Sequence, residues 1–300
     1  MMRLATPKTI ATAALLAAAF ATPLCAQVRN TAQDPNADKA VVVPADPSVL
    51  RICASANELP MSKNDGSGFE NKIAEELAKA MGRTAKFAWF PKESIYLVRD
   101  QLDVKACDVV MGVDTGDPRV LTTKPYYRAP YVFIVRSDSK LNITGWDSPD
   151  LKKAGKIGFT PGSPPQVMME KTGLFQDHFN YMHSLSNFKD KRNKFTRVPP
   201  DRMVGEVADG TADVAVNFAP EVARYAKAAG GKVKLVVIPD NNVREDGEKV
   251  PHHFDQSLAV RKDDAALQAD LNAALDKARP KIEEILKDEG IPLLSQSPRS

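Results

Sequence analysis

The 300-residue sequence is poor in cysteine and glycine, has no large excess of either charge, and carries no long apolar run beyond its first 26 residues. Three cysteines form no C-x-x-C redox pair. Sixteen glycines against 22 prolines predict many stiff loops. Lys+Arg 41 against Asp+Glu 38 gives +3, which argues against a general nucleic-acid binder. There is no G-x-S-x-G, no Gly-rich phosphate loop and no visible nucleophile–base constellation, so an enzyme reading has little support. No EF-hand spacing appears among the acidic residues. His178 and His183 are five apart and His252 adjoins His253, which is no zinc motif; surface or loop positions are expected for them. What remains, at 43% hydrophobic and 26% charged, is a globular chain whose length suits two domains.

Residues 1–26 read as a secretory signal. Arg3 and Lys8 form a basic start, and Ile10 to Ala21 is an apolar stretch too short to span a bilayer. Pro23 breaks it, and Leu24-Cys25-Ala26 offers a cleavage site before Gln27. Pro23-Leu24 argues against a lipid-modified Cys25. Removal would leave 39 basic against 38 acidic side chains, and two cysteines, Cys53 and Cys107. Residues 27–48 are polar and Pro-rich and read as a flexible arm.

From Val49 onward strands and helices alternate. Leu50 to Ala54, Lys86 to Phe90 and Asp108 to Val113 read as strands of a parallel sheet. Phe69, Ile73, Leu77 and Met81 recur every four residues and predict a helix ending at Gly82. Ser94 to Leu102 is a short helical pattern. Tyr131 to Arg136 and Gln256 to Arg261 are alternating, Arg-terminated strands flanking a second α/β series, and read as the two crossings between domains. That series holds strands at Lys156–Phe159, Phe195–Val198, Asp213–Val216 and Lys234–Ile238. Its helices start at Ser163-Pro164-Pro165, Pro200 and Pro220. A final helical tract bears Leu267, Leu271 and Leu275, with Pro280 expected to break it before Ile282, Ile285 and Leu286. The expected division is 49–134 plus 258–300 for domain 1 and 135–257 for domain 2.

This order resembles the type II periplasmic solute-binding proteins, with two doubly wound α/β domains joined by two crossover strands. Thr122 to Tyr127 matches their T-x-P-Y-Y stretch, and Gly210 to Ala215 their G-x-A-D-x-A strand. A narrower resemblance rests on LRICAS, GFENKIAEELAKAMG, CDVVMGV, RVLTTKPYYRAPYVFIVR and DVAVNFAPEVARY. These strings look like the solute-binding-protein-like J-type accessory proteins encoded with quinoprotein methanol dehydrogenases, over roughly residues 50 to 290. The calcium-enzyme and lanthanide-enzyme branches both stay open, with the calcium branch favoured.

In a doubly wound sheet the strands bearing Cys53 and Cys107 are neighbours, so a disulfide is expected in an oxidising compartment; two free buried thiols are the alternative. In the resembled class an Arg past the third strand holds a ligand carboxylate, and Arg119 falls there. Asp114 replaces the usual hydroxyl residue and would repel an anion or pair with Arg119. Amino-acid binders place an acid after the A-D-x-A strand; this chain has Asn217-Phe218-Ala219, so half of that clamp is missing. Arg119 is then equally a salt-bridged loop residue. Ser163 reads as a helix cap or an anion site. Asn57, Phe69 and Trp89 complete the cleft candidates, although strand and helix-start aromatics such as the last two are more often core. Between Gly173 and Phe195 no element is evident. Phe179 and Tyr181 beside Lys189, Lys191 and Arg192 suit a partner surface, or else a solvated charge run over a packed helix.

Two functions follow. The resemblance implies a periplasmic, non-catalytic accessory protein that binds PQQ-dependent methanol dehydrogenase subunits and assists their maturation. No cofactor or metal is expected to reside in the chain; the partner enzyme carries PQQ and calcium or a lanthanide. The alternative is a small-solute carrier for an ABC importer. Neither involves nucleic acid or a membrane span.

Overall fold

The computed structural model describes residues 46–186 and 198–295. The expected signal, nearly all of the arm, the run Lys189–Arg192 and the strand expected at 195–198, save Val198 itself, lie outside them. The ladder begins with β1 (Val49–Ser55), followed by a small hairpin of β2 (Asn57–Glu58) and β3 (Ser62–Lys63). Helix α1 (Phe69–Ala80) buries Phe69, Ile73, Ala74, Leu77 and Ala78, as the four-residue recurrence requires. It ends where Gly82 takes φ +70°, a turn that an L side chain resists.

Strand β4 (Thr84–Phe90) lies parallel to β1 along its whole length. A 3₁₀ turn (Ser94–Tyr96) and a π turn (Val98–Leu102) stand where a short helix was expected. Strand β5 (Val109–Asp114) pairs parallel with β1 on the other side, Cys53 facing Val110. Cys107, just before β5, is bonded to Cys53 with a Cα–Cα distance of 5.3 Å. The bridge sits in an apolar layer with Leu97, Leu102 and Val120.

After β6 (Leu121–Thr122) comes β7 (Tyr127–Arg136), four residues longer at its start than its alternation suggested. This strand serves both lobes. Tyr127 to Pro130 pair with His253 to Gln256 of β11 (His253–Val260). Tyr131 onward pairs with β9 (Val214–Phe218) on one edge and β10 (Val233–Val237) on the other. β11 also runs antiparallel to β5, and β8 (Ile157–Phe159) lies parallel to β9. The ladder order is β4-β1-β5-β11-β7-β9-β8.

The second lobe carries α2 (Pro164–Lys171), α3 (Phe175–Leu185), α4 (Pro200–Ala208) and α5 (Ala219–Ala228). Helix α3 occupies part of the stretch that showed no evident element. Its buried stripe is His178, Met182 and Leu185, and a histidine on that stripe hides the apolar period. Helix α6 (Ala265–Asp288) returns to the first lobe in one piece. Pro280 does not break it. The proline is exposed, while Leu271, Leu275, Ala278, Ile282 and Leu286 keep one buried stripe, and that packing outweighs one lost backbone bond.

Candidate functional site

The crossover strand brings the chemistry together. Tyr126 and Tyr127, at its start, turn their hydroxyls onto Glu70 of α1. Tyr126 Oη donates to Oε2 at 2.6 Å and Tyr127 Oη to Oε1 at 3.2 Å. Tyr126 Oη in turn accepts the Gly112 N–H of β5 at 3.0 Å. Gly112 has φ +63°, and a Cβ there would come within 3.2 Å of Glu70 Oε1, so both backbone and space favour glycine. Burial pushes the Glu70 carboxyl up to about 7, against the opposing pull of the two hydroxyls. Burial likewise holds both tyrosines well above their usual range, with the Glu70 charge adding to it.

By strand register, Asp114, Gln256, Phe254, Tyr131 and Phe218 share one face of the crossover ribbon. Tyr131, Phe218 and Phe254 form an aromatic triad with centroids 5.3–6.2 Å apart. Gln256 Nε2 donates to Asp114 Oδ1 at 2.6 Å. Burial raises the Asp114 pKa, Gln256 counteracts it, and the Asp117 charge adds to the rise. From the second lobe, Glu221 in the first turn of α5 accepts from Asn217 Nδ2 at 2.9 Å. Burial raises the Tyr131 hydroxyl's pKa, and the charges of Glu221 and Asp114 add to it from the two lobes. This face of the crossover ribbon is therefore acidic and aromatic.

Arg119 pairs with Asp117, its Nη2 2.6 Å from Oδ2 and its Nε 3.0 Å from Oδ1; the partner is Asp117, two residues back in the same loop, and not Asp114. Asn217 is buried, with Oδ1 accepting the Phe218 N–H. Phe69 lies wholly inside the first core, edge-on to Tyr127 at 6.4 Å. Trp89 stacks on Phe87 at 4.8 Å along β4, 36% exposed. Asn57 is exposed on the β2–β3 hairpin. Ser163 does not cap α2 with its side chain, because its hydroxyl donates back to the Thr160 carbonyl.

Phe179 is exposed on α3, whereas Tyr181 donates to Glu206 at 2.8 Å under Lys156 and is half-buried. Two of the histidines expected at the surface are buried. His178 Nδ1 accepts the Ile157 N–H at 3.2 Å. His252 Nε2 accepts the Trp146 indole N–H at 3.0 Å, while Nδ1 lies 2.9 Å from the Val250 carbonyl. Among the described residues no His/Cys/Asp/Glu group is arranged to hold a metal, and no helix is long and apolar enough to cross a membrane.

One arrangement had no counterpart in the sequence reading. Helix α5 of the second lobe is fastened onto the first. Arg224 Nε and Nη2 donate to Glu289 Oε2 and Oε1 at 2.6 and 2.8 Å, and Nη2 also reaches the Ser67 carbonyl at 3.0 Å. Lys227 Nζ donates to the Asp288 carbonyl at 2.6 Å. Ala223, only 1% exposed, is part of the first lobe's core, and Phe218 and Leu235 pack against it. The only local trace is the Arg224–Lys227 spacing, which puts two cations on adjacent turns of one helix.

A mixed two-lobed α/β ladder with a shared crossover strand defines a solute-binding fold, and residues 50–288 match the bacterial extracellular solute-binding proteins, family 3, to which this chain belongs. Within that family it is 48% identical to Protein MoxJ of Methylorubrum extorquens over 95% of this chain and 94% of that protein. Among solved structures, MxaJ from Methlophaga aminisulfidivorans MPT superposes with a TM-score of 0.78 at 48% identity, covering 82% of this chain and all (100%) of that one. The periplasmic binding protein XoxJ from Methylobacterium extorquens AM1 superposes at 0.62 with 26% identity, covering 82% and 100%.

Proposed function

We propose that this chain is a periplasmic, non-catalytic accessory protein of the methanol oxidation system. In this reading it binds PQQ-dependent methanol dehydrogenase and assists its maturation or activation. The observation that carries the reading is the α5 seam. A solute carrier works by opening and closing its lobes around a ligand at little cost. Here one lobe supplies a residue to the other's core, and a two-pronged Arg224–Glu289 pair sits over it. Opening the lobes would separate this pair and also expose the apolar contacts of Ala223 with the first lobe's core. The amino-acid clamp also lacks its anchor, since Arg119 is tied to Asp117. Both features suit a scaffold that presents a fixed surface. They count against an importer's carrier. Similarity to MoxJ and MxaJ supports the same reading, and greater identity to MxaJ than to XoxJ favours the MxaJ-like branch.

The reading includes export by residues 1–26, lobes divided at 49–134 plus 258–300 and 135–257, and a partner that carries PQQ and calcium or a lanthanide while this chain holds neither. It is tested by pull-down from periplasm with the tagged chain, and by PQQ loading and methanol-oxidising activity in a deletion strain. Co-purification of a dehydrogenase subunit and reduced loading are expected. Unchanged loading and activity with no association would defeat the proposal.

A further inference from the structure

Apart from the crossover ribbon and the seam, a cavity of about 620 Å³ opens between α6, the chain that follows it and the start of β7. That volume lies in the range of small-molecule sites, roughly 300–1,000 Å³. Its inner wall is the rings of Tyr126 and Tyr127, whose hydroxyls are committed to Glu70, so ring carbon is what they offer. Leu286 and Ile291 back this wall from the core, and Leu293, 41% exposed, supplies accessible apolar surface. The outer wall is held in place by a backbone bond, Leu294 N–H to the Arg128 carbonyl at 3.0 Å.

The charges at the cavity have a definite balance. Arg128 is answered by Asp255 at 2.8 Å. Arg279 and Lys287 stand two α-helical turns apart and therefore on one face of α6, with Glu283 between them. Among the described residues neither cation is in an ion pair, which leaves the lining with one excess positive charge. An apolar body with a cationic rim fits one ligand chemistry. We propose that this cavity binds a small anion with an apolar body, an aryl or alkyl carboxylate or sulfonate. Gly290 lines the cavity, and a Cβ placed on it would meet Lys227 and the Ala223 carbonyl of α5 at 3.6–3.7 Å, so an occupant here would lie close to the seam.

The test is a fluorescence titration of the intact protein with 8-anilinonaphthalene-1-sulfonate. Saturable one-site binding is expected. Arg279→Gln with Lys287→Gln should weaken it roughly tenfold, the worth of two partly exposed charges. Glu283→Gln should tighten it. Decanoate should displace the probe, whereas decyltrimethylammonium, equally apolar and of opposite charge, should not. These positions lie outside the buried stripe of α6, and circular dichroism checks that the variants stay folded. Absence of binding, affinity unmoved by these substitutions, or equal displacement by the cation would overturn the site. None of these outcomes depends on whether the chain serves a dehydrogenase.

Discussion

Replacing Glu70 with Gln tests whether a buried ionisable group sits at the root of the crossover strand. The carboxyl ordinarily titrates near 4.5, and burial moves it to about 7. A proton held more tightly in the folded than in the unfolded chain stabilises the fold below pH 4.5. That stabilisation is lost as pH rises to about 7 and stays lost above it. At 1.36 kcal/mol per pH unit, the interval is worth about 3 kcal/mol. Glutamine keeps a carbonyl oxygen for the short Tyr126 bond and cannot ionise. The quantity to measure is the stability of Glu70→Gln minus that of wild type, from urea unfolding between pH 4.5 and 8.5 at fixed ionic strength. Taking the difference cancels every other titrating group, His252 included. It should rise by about 3 kcal/mol across that range, and most steeply between pH 5 and 7. Parallel pH profiles would refute the argument, because Glu70 would then titrate alike folded and unfolded.

Three further outcomes follow from the packing. Arg224→Ala strands Glu289 under the seam and should cost about 2–3 kcal/mol of unfolding free energy, with a larger radius of gyration in small-angle scattering; an unchanged melting temperature and scattering curve would contradict the seam. Reducing the Cys53–Cys107 bridge, which closes a separation of 54 residues, should remove about 4 kcal/mol by chain entropy, read from denaturation with and without reductant. Burial lowers the His252 pKa, so its stabilising effect is full above pH 6.5 and declines as pH falls. An NMR titration should place the midpoint of the ring below 6.5, and a value at or above 6.5 would overturn the assignment of Nε2 as the Trp146 acceptor.

The elements with regular apolar spacing were legible in the sequence. The Phe69–Leu77 recurrence, the run Asp108–Val113 and the paired strands around the second α/β series all stand within a few residues of their expected places. Helix α3 was not legible, because His178 occupies a core position that no apolar pattern records. Pro280 misled for the opposite reason: its local rule is real, but the buried stripe from Leu271 to Leu286 overrides it. The site was less legible than the fold. Glu70 looks like an ordinary first-turn acid until it meets tyrosines 56 and 57 residues away. Arg224 and Glu289 are 65 residues apart. Such pairings are properties of the assembled ladder, and a linear reading has no term for them.

The first lobe's core draws on residues from Leu50 to Ile291, with Ala223 contributed from the inserted lobe between them. Such a core has no early-completing half. Its sheet needs β11, its cover needs α6, and α6 comes last in the chain. Closing contacts over such separations makes folding slow, because loop entropy is lost before burial compensates it. The lobe's sheet and its cover therefore cannot be completed until the C-terminal helix has been synthesised. The shared core that welds the lobes in the finished protein also postpones folding until synthesis is nearly complete.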